Sequence, residues 1–167
     1  GLVSFASGGT PQRRIFTGTT PIDTFGRAII TQESNWRYGE PNAEGSPAIG
    51  LGQTIPDTAK SLAKRLGLPW RPELLAGKSE EAMEYQDAIA KAAVQEAWDY
   101  GKGDPARAAK YYYGGSNQRN WGKRTAQYAK DIQRRLGEDA APVPSRPCGA
   151  RPHARGSRAR RRARQRS

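Results

Sequence analysis

Histidine and cysteine are almost missing from these 167 residues, which hold one of each, His153 and Cys148. A lone cysteine forms no disulfide within the chain and no multi-cysteine zinc site, and a lone histidine makes no paired-histidine metal site. Both lie beyond residue 141, in a segment whose composition does not build a core, so the folded part reads as having neither. Nucleophile systems that use a histidine base are thereby excluded from it. Also missing is any apolar run near the ~18 residues of a membrane span. Strand-type alternation of apolar and polar residues is nearly absent. If the chain is an enzyme, carboxylates, tyrosines and amides must do the work, with no metal and no cofactor.

Charge is plentiful but uneven. The formal net charge is +12, yet residues 142–167 hold nine arginines and no acid. The remaining 19 basic and 16 acidic residues leave positions 1–141 at only +3. The Arg-rich segment 142–167 reads as a disordered tail. It would bind phosphate in a salt-dependent, sequence-independent way, but no aromatic residue lies between the arginines to stack on bases. An arginine-, proline- and alanine-rich stretch is equally what a GC-rich frame read out of phase would yield. Gly1 in place of a methionine, with no charged and then apolar leader after it, points to a processed or excised segment.

The pattern in between is helical. Residues 1–20 are Gly-, Ser- and Thr-rich and read as an arm or linker. From Pro21, Ile22, Phe25 and Ile29 recur at helical spacing to about Asn35, with Thr20 or Asp23 as cap. Six Gly and Pro residues between 37 and 53 forbid a long helix and predict an irregular loop or small hairpin. A second helix opens at Pro56 and Asp57, buries Ala59, Leu62, Ala63 and Leu66, and stops at Gly67 and Pro69. A third runs from the cap Ser79 to about Tyr100. Asp104 and Pro105 start a fourth that ends at Gly114 and Gly115. The last carries Tyr128, Ile132 and Leu136, with Gly137 as terminator. The expectation is one mainly α, compact domain over residues 21–141.

Glu33 stands out. It lies four residues after Ile29 and eight after Phe25, which places it on the apolar face near the helix end. Desolvation and the negative end of the helix dipole both raise a carboxyl pKa. A glutamate protonated near neutral pH suits general-acid chemistry on a glycosidic oxygen. The plainer reading is a solvated side chain at a frayed end, or one paired with Arg27 or Arg37.

The surrounding residues add a resemblance. Gln32-Glu33-Ser34-Asn35-Trp36, Asn42-Ala43, Ser46 through Gly50-Leu51-Gly52-Gln53, and Ile55-Pro56-Asp57-Thr58-Ala59 resemble the soluble lytic transglycosylase family in motif order. Tyr111-Tyr112-Tyr113-Gly114-Gly115 is similar to a degenerate form of that family's Ala-Tyr-Asn-x-Gly motif, and Thr125 to Tyr128 to its Thr-x-x-Tyr. The resemblance covers residues 22–135 and looks most like transglycosylase domains carried on phage virion proteins. It implies a lysozyme-like fold and cleavage of the β-1,4 bond between N-acetylmuramic acid and N-acetylglucosamine in peptidoglycan. Glu33 would act as acid and then as base, leaving a 1,6-anhydro end. Ser46 and Gln53 would contact substrate, Tyr112 would hydrogen-bond Glu33, and Tyr113 would line the groove in the place of asparagine. Tyr128 also joins the substrate-binding set by this resemblance. Trp36 and Trp121 are candidates for stacking on sugar faces, whereas Trp70 and Trp98 read as core.

The implied partners are glycan strands and other virion or cell-envelope assembly proteins. The implied setting is a virion or the periplasm, with the isolated domain a monomer. A lysozyme-like hydrolase using Glu40 or Glu44 as a second carboxylate, a non-catalytic wall-binding module, and a nucleic-acid role for the tail remain as alternatives.

Overall fold

The computed structural model describes residues 13–140, so the readings for 1–12 and for the Arg-rich tail lie outside the described residues. Within them the chain is mainly helical, with five α-helices, two short 3-10 segments and no strand. The helices are α1 (Pro21–Glu33), α2 (Pro56–Arg65), α3 (Glu80–Gly101), α4 (Pro105–Gly114) and α5 (Lys123–Ala140). The 3-10 segments are Pro72–Ala76 and Gln118–Asn120. The irregular loop after α1 holds two isolated antiparallel bridges, Pro41 with Ile49 and Ile49 with Thr54.

Three of the five helices start at a side-chain cap. Thr20 accepts from the backbone of Asp23, and the Asp23 carboxylate accepts in return from the Thr20 N–H, a reciprocal capping box. Ser79 Oγ accepts from Ala82 N, and Asp104 from Ala106 N. Three corrections follow at helix ends and at the chain's start. Gly137 does not stop α5. It lies inside a helix that continues to Ala140, because it does not take the left-handed conformation a terminator needs, and Arg27 holds Asp139 of the final turn at 3.1 Å. Leu66 is 45% exposed rather than buried, since α2 has already ended and the stripe loses its register. Residues 13–20 are not a loose arm. Ile15 and Phe16 join the core, Arg27 Nη1 donates to the Phe16 and Gly18 carbonyls at 2.6 Å each, and Arg14 pairs with Glu80 and Asp87.

The core divides into two clusters along α3, whose 22 residues make a spine of about 33 Å. One joins Phe25, Ile29 and Ile30 of α1 to Val94 and Ala97 of α3, Ala108 and Ala109 of α4, and Ile132 of α5. The other packs Leu62 of α2 and Leu74–Leu75 onto Tyr85 and Ile89 of α3. Full burial of each large aliphatic or aromatic side chain contributes about 1.5–3 kcal/mol. Tyr112 touches both clusters and so sits at their seam. Trp98 packs on Phe25 with ring centroids 5.2 Å apart. Trp70 is partly buried against the second cluster.

Gln86 is a buried polar residue on the inner face of α3, 2% exposed. Its Oε1 accepts from Gly39 N at 2.8 Å and Leu51 N at 3.1 Å. Its Nε2 donates to the Leu74 and Gly77 carbonyls at 2.8 and 2.9 Å. One side chain thus satisfies backbone groups from two connections. Gln86→Leu leaves the buried Leu51 N–H and Leu74 carbonyl unpaired at about 1–3 kcal/mol each, with a smaller cost at the part-buried Gly39 and Gly77. Urea denaturation of that variant should show a loss of at least about 3 kcal/mol; a loss below 1 kcal/mol would mean that water or a shift of the loops replaces the amide.

Candidate active site

A cavity of about 610 Å³ opens between the two clusters, lined by Glu33 and residues of the 42–54 loop, α2, α3 and the end of α4. The Gly50–Gln53 turn reaches that wall through Gln53. Gly50 has φ +88°, and a Cβ there would sit 3.0 Å from the Leu75 carbonyl. Only glycine reconciles that turn with the neighbouring backbone. The end of α1 is tied to this turn through Ser34, whose buried hydroxyl donates to the Leu51 carbonyl at 2.7 Å.

Glu33 is the final residue of α1. It makes no ion pair among the described residues: Arg27 is taken by Asp139 and two carbonyls, and Arg37 by Glu40 at 2.6 Å. The Tyr128 hydroxyl donates to Glu33 Oε2 at 2.5 Å. Burial is the largest influence on the carboxyl and pushes its pKa from 4.5 up to about 7. The Tyr128 hydrogen bond pulls it down, and the negative charge of Glu44 pushes it up. The same surroundings raise the Tyr128 phenol well above its ordinary value, through burial first and the charge of Glu33 second. Glu33 is therefore a carboxyl that holds its proton near neutral pH while facing an open cavity.

The other expected site residues divide. Ser46 lies exposed on the cavity wall, its Oγ accepting from Ala48 N at 3.2 Å, which leaves its O–H to donate outward. Tyr113 lines the cavity at 43% exposure, its ring stacked on Tyr128 with centroids 4.8 Å apart. Gln53 lines the cavity too, but its amide is already committed. Nε2 donates to the Glu40 and Gly50 carbonyls, and Oε1 accepts from Asn42 Nδ2. Gln53 works as a loop staple rather than a free donor to a sugar.

Four expectations are corrected. Tyr112 does not bond Glu33. Its hydroxyl donates to the Gly52 carbonyl at 2.5 Å, because it reaches across the seam to the 50–53 turn. The bond to Glu33 falls to Tyr128, which is 6% exposed, absent from the cavity wall, and a holder of the acid rather than a substrate contact. Trp36 is 3% exposed, donates Nε1–H to Thr31 Oγ1 and takes a left-handed φ of 67°, which folds its ring into the core. Trp121 stands outside the cavity wall, donating Nε1–H to the Gly115 carbonyl at 2.9 Å and packing edge-on to Tyr100.

No family model, curated protein or solved structure matches the chain.

Residues not singled out from sequence complete the wall. Glu96 of α3 and Tyr111 of α4 line it together, with Tyr111 Oη donating to Glu96 at 3.0 Å. Gln86 braces the 50–53 turn through Leu51 N. A glutamine in register with Ala82, Ile89 and Ala93 on an otherwise apolar stripe was the available signal. Among the described residues no cluster of His, Cys, Asp or Glu is arranged to hold a metal ion, and no helix is long and apolar enough to cross a membrane.

The raised pKa of Glu33 has a consequence for stability. The folded state binds the Glu33 proton more tightly than the unfolded chain does. Its contribution is therefore whole below about pH 4.5 and is lost as pH rises through about 7. A folded-state value near 7 against 4.5 unfolded corresponds to about 3 kcal/mol. Glu33→Gln carries no charge to bury and escapes that loss. Its melting temperature should exceed the parent's at pH 8 and converge with it at pH 4; equal advantages at both pH values would place the Glu33 pKa in the ordinary range.

Proposed function

We propose that the chain is a peptidoglycan lytic transglycosylase with a lysozyme-like helical domain, cleaving the β-1,4 bond between N-acetylmuramic acid and N-acetylglucosamine. The observation that carries the proposal is Glu33, a carboxyl whose pKa is raised to about 7, held by Tyr128 on the wall of a cavity of about 610 Å³. Supporting it is the motif resemblance around Glu33, the 50–53 turn and the Tyr111–Gly115 run.

The chemistry follows from one group changing protonation state twice. Protonated Glu33 gives its proton to the glycosidic oxygen as the bond from C1 of the muramyl residue breaks. The carbonyl oxygen of the substrate's own 2-acetamido group attacks C1, forming an oxazolinium ring in place of a protein nucleophile. Ionised Glu33 then takes the proton of the muramyl 6-hydroxyl as that oxygen closes on C1 and the acetamido group is released. Glu33 ends protonated, no water is consumed, and the product carries a 1,6-anhydro bridge. Ser46 supplies an outward donor and Tyr113 an aromatic face along the wall.

A second reading rests on Glu44. Glu44 lines the same cavity and its charge acts on Glu33, whereas Glu40 is paired with Arg37 and absent from the wall. If Glu44 positions a water, the reaction is hydrolysis by two carboxylates. Mass spectrometry of muropeptides released from purified peptidoglycan separates the two. Anhydro ends that vanish in Glu33→Gln and persist in Glu44→Gln are expected. Products heavier by one water, lost in Glu44→Gln, would give the hydrolase instead, and no release by the parent protein would remove both.

The pH profile is a further check. Since the free enzyme must carry the proton, kcat/KM should fall as pH rises past about 7. Tyr128→Phe deletes the hydrogen bond that favours the ionised form, so its alkaline limb should move to higher pH while the rate falls at least tenfold through loss of orientation. An unmoved limb would mean that the group titrating in the profile is not Glu33.

A further inference from the structure

A second recess of about 300 Å³ adjoins the main cavity and shares Thr58 and Glu96 with it. Its outer wall is one face of α2: Asp57, Ser61 and Arg65 lie four residues apart in succession, with Leu62 beneath them. Over that spacing the stripe is about 12 Å long, with an acid at one end, a hydroxyl in the middle and a guanidinium at the other. Glu96 forms the ridge between the two spaces. Tyr111 Oη holds one of its oxygens from the main cavity, and Arg65 Nη1 holds the other at 2.8 Å from the recess.

The charged groups are under-used. Arg65 spends one N–H on Glu96 and is 57% exposed, leaving the rest of its planar fork to meet a carboxylate. Asp57 has no hydrogen-bond or ion-pair partner among the described residues. A bare glycan strand has no charge with which to answer either group. A muramyl residue carries, on its lactyl oxygen, a short peptide that has free carboxylates and, where its third residue is a diamino acid, an ammonium group. Three to four extended residues span about 10–13 Å, which matches the stripe.

Resting on the transglycosylase reading above, we propose that this recess is a binding site for the stem peptide of the substrate, with Arg65 receiving a peptide carboxylate and Asp57 the diamino-acid ammonium. The protein would then favour peptide-bearing over peptide-stripped glycan, a preference set by α2 rather than by the groove around Glu33.

The test uses the full chain and two substrates, glycan strands with stem peptides and the same strands stripped by an amidase. Parent protein should show a kcat/KM at least tenfold higher on peptide-bearing strands, expressed mainly in KM. Arg65→Ala with Asp57→Asn should bring that ratio to within about twofold of unity, and Arg65→Lys, which keeps the charge, should restore part of it. In parallel, the inactive Glu33→Gln protein should bind a peptide-bearing disaccharide at least fivefold more tightly than the peptide-free one by calorimetry, the difference vanishing in the Arg65–Asp57 background. A parent ratio near one, or a ratio unchanged by both substitutions, overturns the peptide site while Glu33-dependent cleavage leaves the transglycosylase reading in place. Absence of both cleavage and disaccharide binding overturns the two together.

Discussion

Four backbone groups from two connections converge on the one amide of Gln86, and the candidate site depends on that convergence. The loop after α1, which includes the Gly50–Leu51 turn, and the 3-10 segment with its exit share no ladder among the described residues, where the strand-like pairing is two isolated bridges. Their relative positions come from a side chain that is fully buried and fully satisfied. A partly satisfied amide in the same place would be a liability, because an unpaired polar group in a dry interior costs more than a hydrogen bond returns. Once Leu51 is fixed, its carbonyl receives Ser34, which sets the end of α1 and with it the backbone of Glu33. Gly52 in turn receives Tyr112 and closes the seam between the two clusters. The acid is placed by a chain of contacts that begins on α3.

Burying Glu33 works against folding and in favour of chemistry. A carboxylate on the inner face of a helix, at its negative end and without a cation, is costly to ionise. An arginine beside it would relieve that cost and would also pull the pKa back toward the ordinary range. The nearby arginines are instead occupied elsewhere, Arg27 by Asp139 and the carbonyls of Phe16 and Gly18 in the strap of residues 13–20, Arg37 by Glu40. Tyr128 supplies a neutral donor, which orients the carboxyl and moderates the shift without cancelling it.

What could be read from sequence was what local chemistry decides. Thr20, Ser79 and Asp104 announce helix starts through side chains that bond backbone two or three residues on, so a short window holds the whole interaction. Glu33 on the apolar face follows from spacing to Phe25 and Ile29. Contacts over long separations leave no such trace. The partner of Glu33 lies 95 residues away, and nothing periodic distinguishes Tyr128 from Tyr112 as that partner. Trp36 misled because the left-handed pair Asn35–Trp36 reverses the chain just after α1, turning an indole that linear spacing places near the acid into the core. Residues 13–20 misled by composition, since two apolar side chains suffice to dock a strap when Gly26 leaves room for a ring.

The three consecutive tyrosines of α4 show why a motif alone could not assign roles there. Successive residues on a helix point about 100° apart, so the three meet different neighbours although all line the cavity. Tyr111 turns to Glu96 and stacks on Tyr100 at 4.4 Å. Tyr112 reaches the Gly52 carbonyl at the seam. Tyr113 lies on Tyr128 and faces the cavity. Shifting a motif by one position along this run exchanges a wall residue, a structural brace and a cavity face while leaving every residue type unchanged. The holder of the acid then comes from outside the run altogether, on α5. The orientation of Glu33 is therefore set by how α5 packs against α4 and α1, and substitutions at that packing surface should reach the acid without touching the cavity.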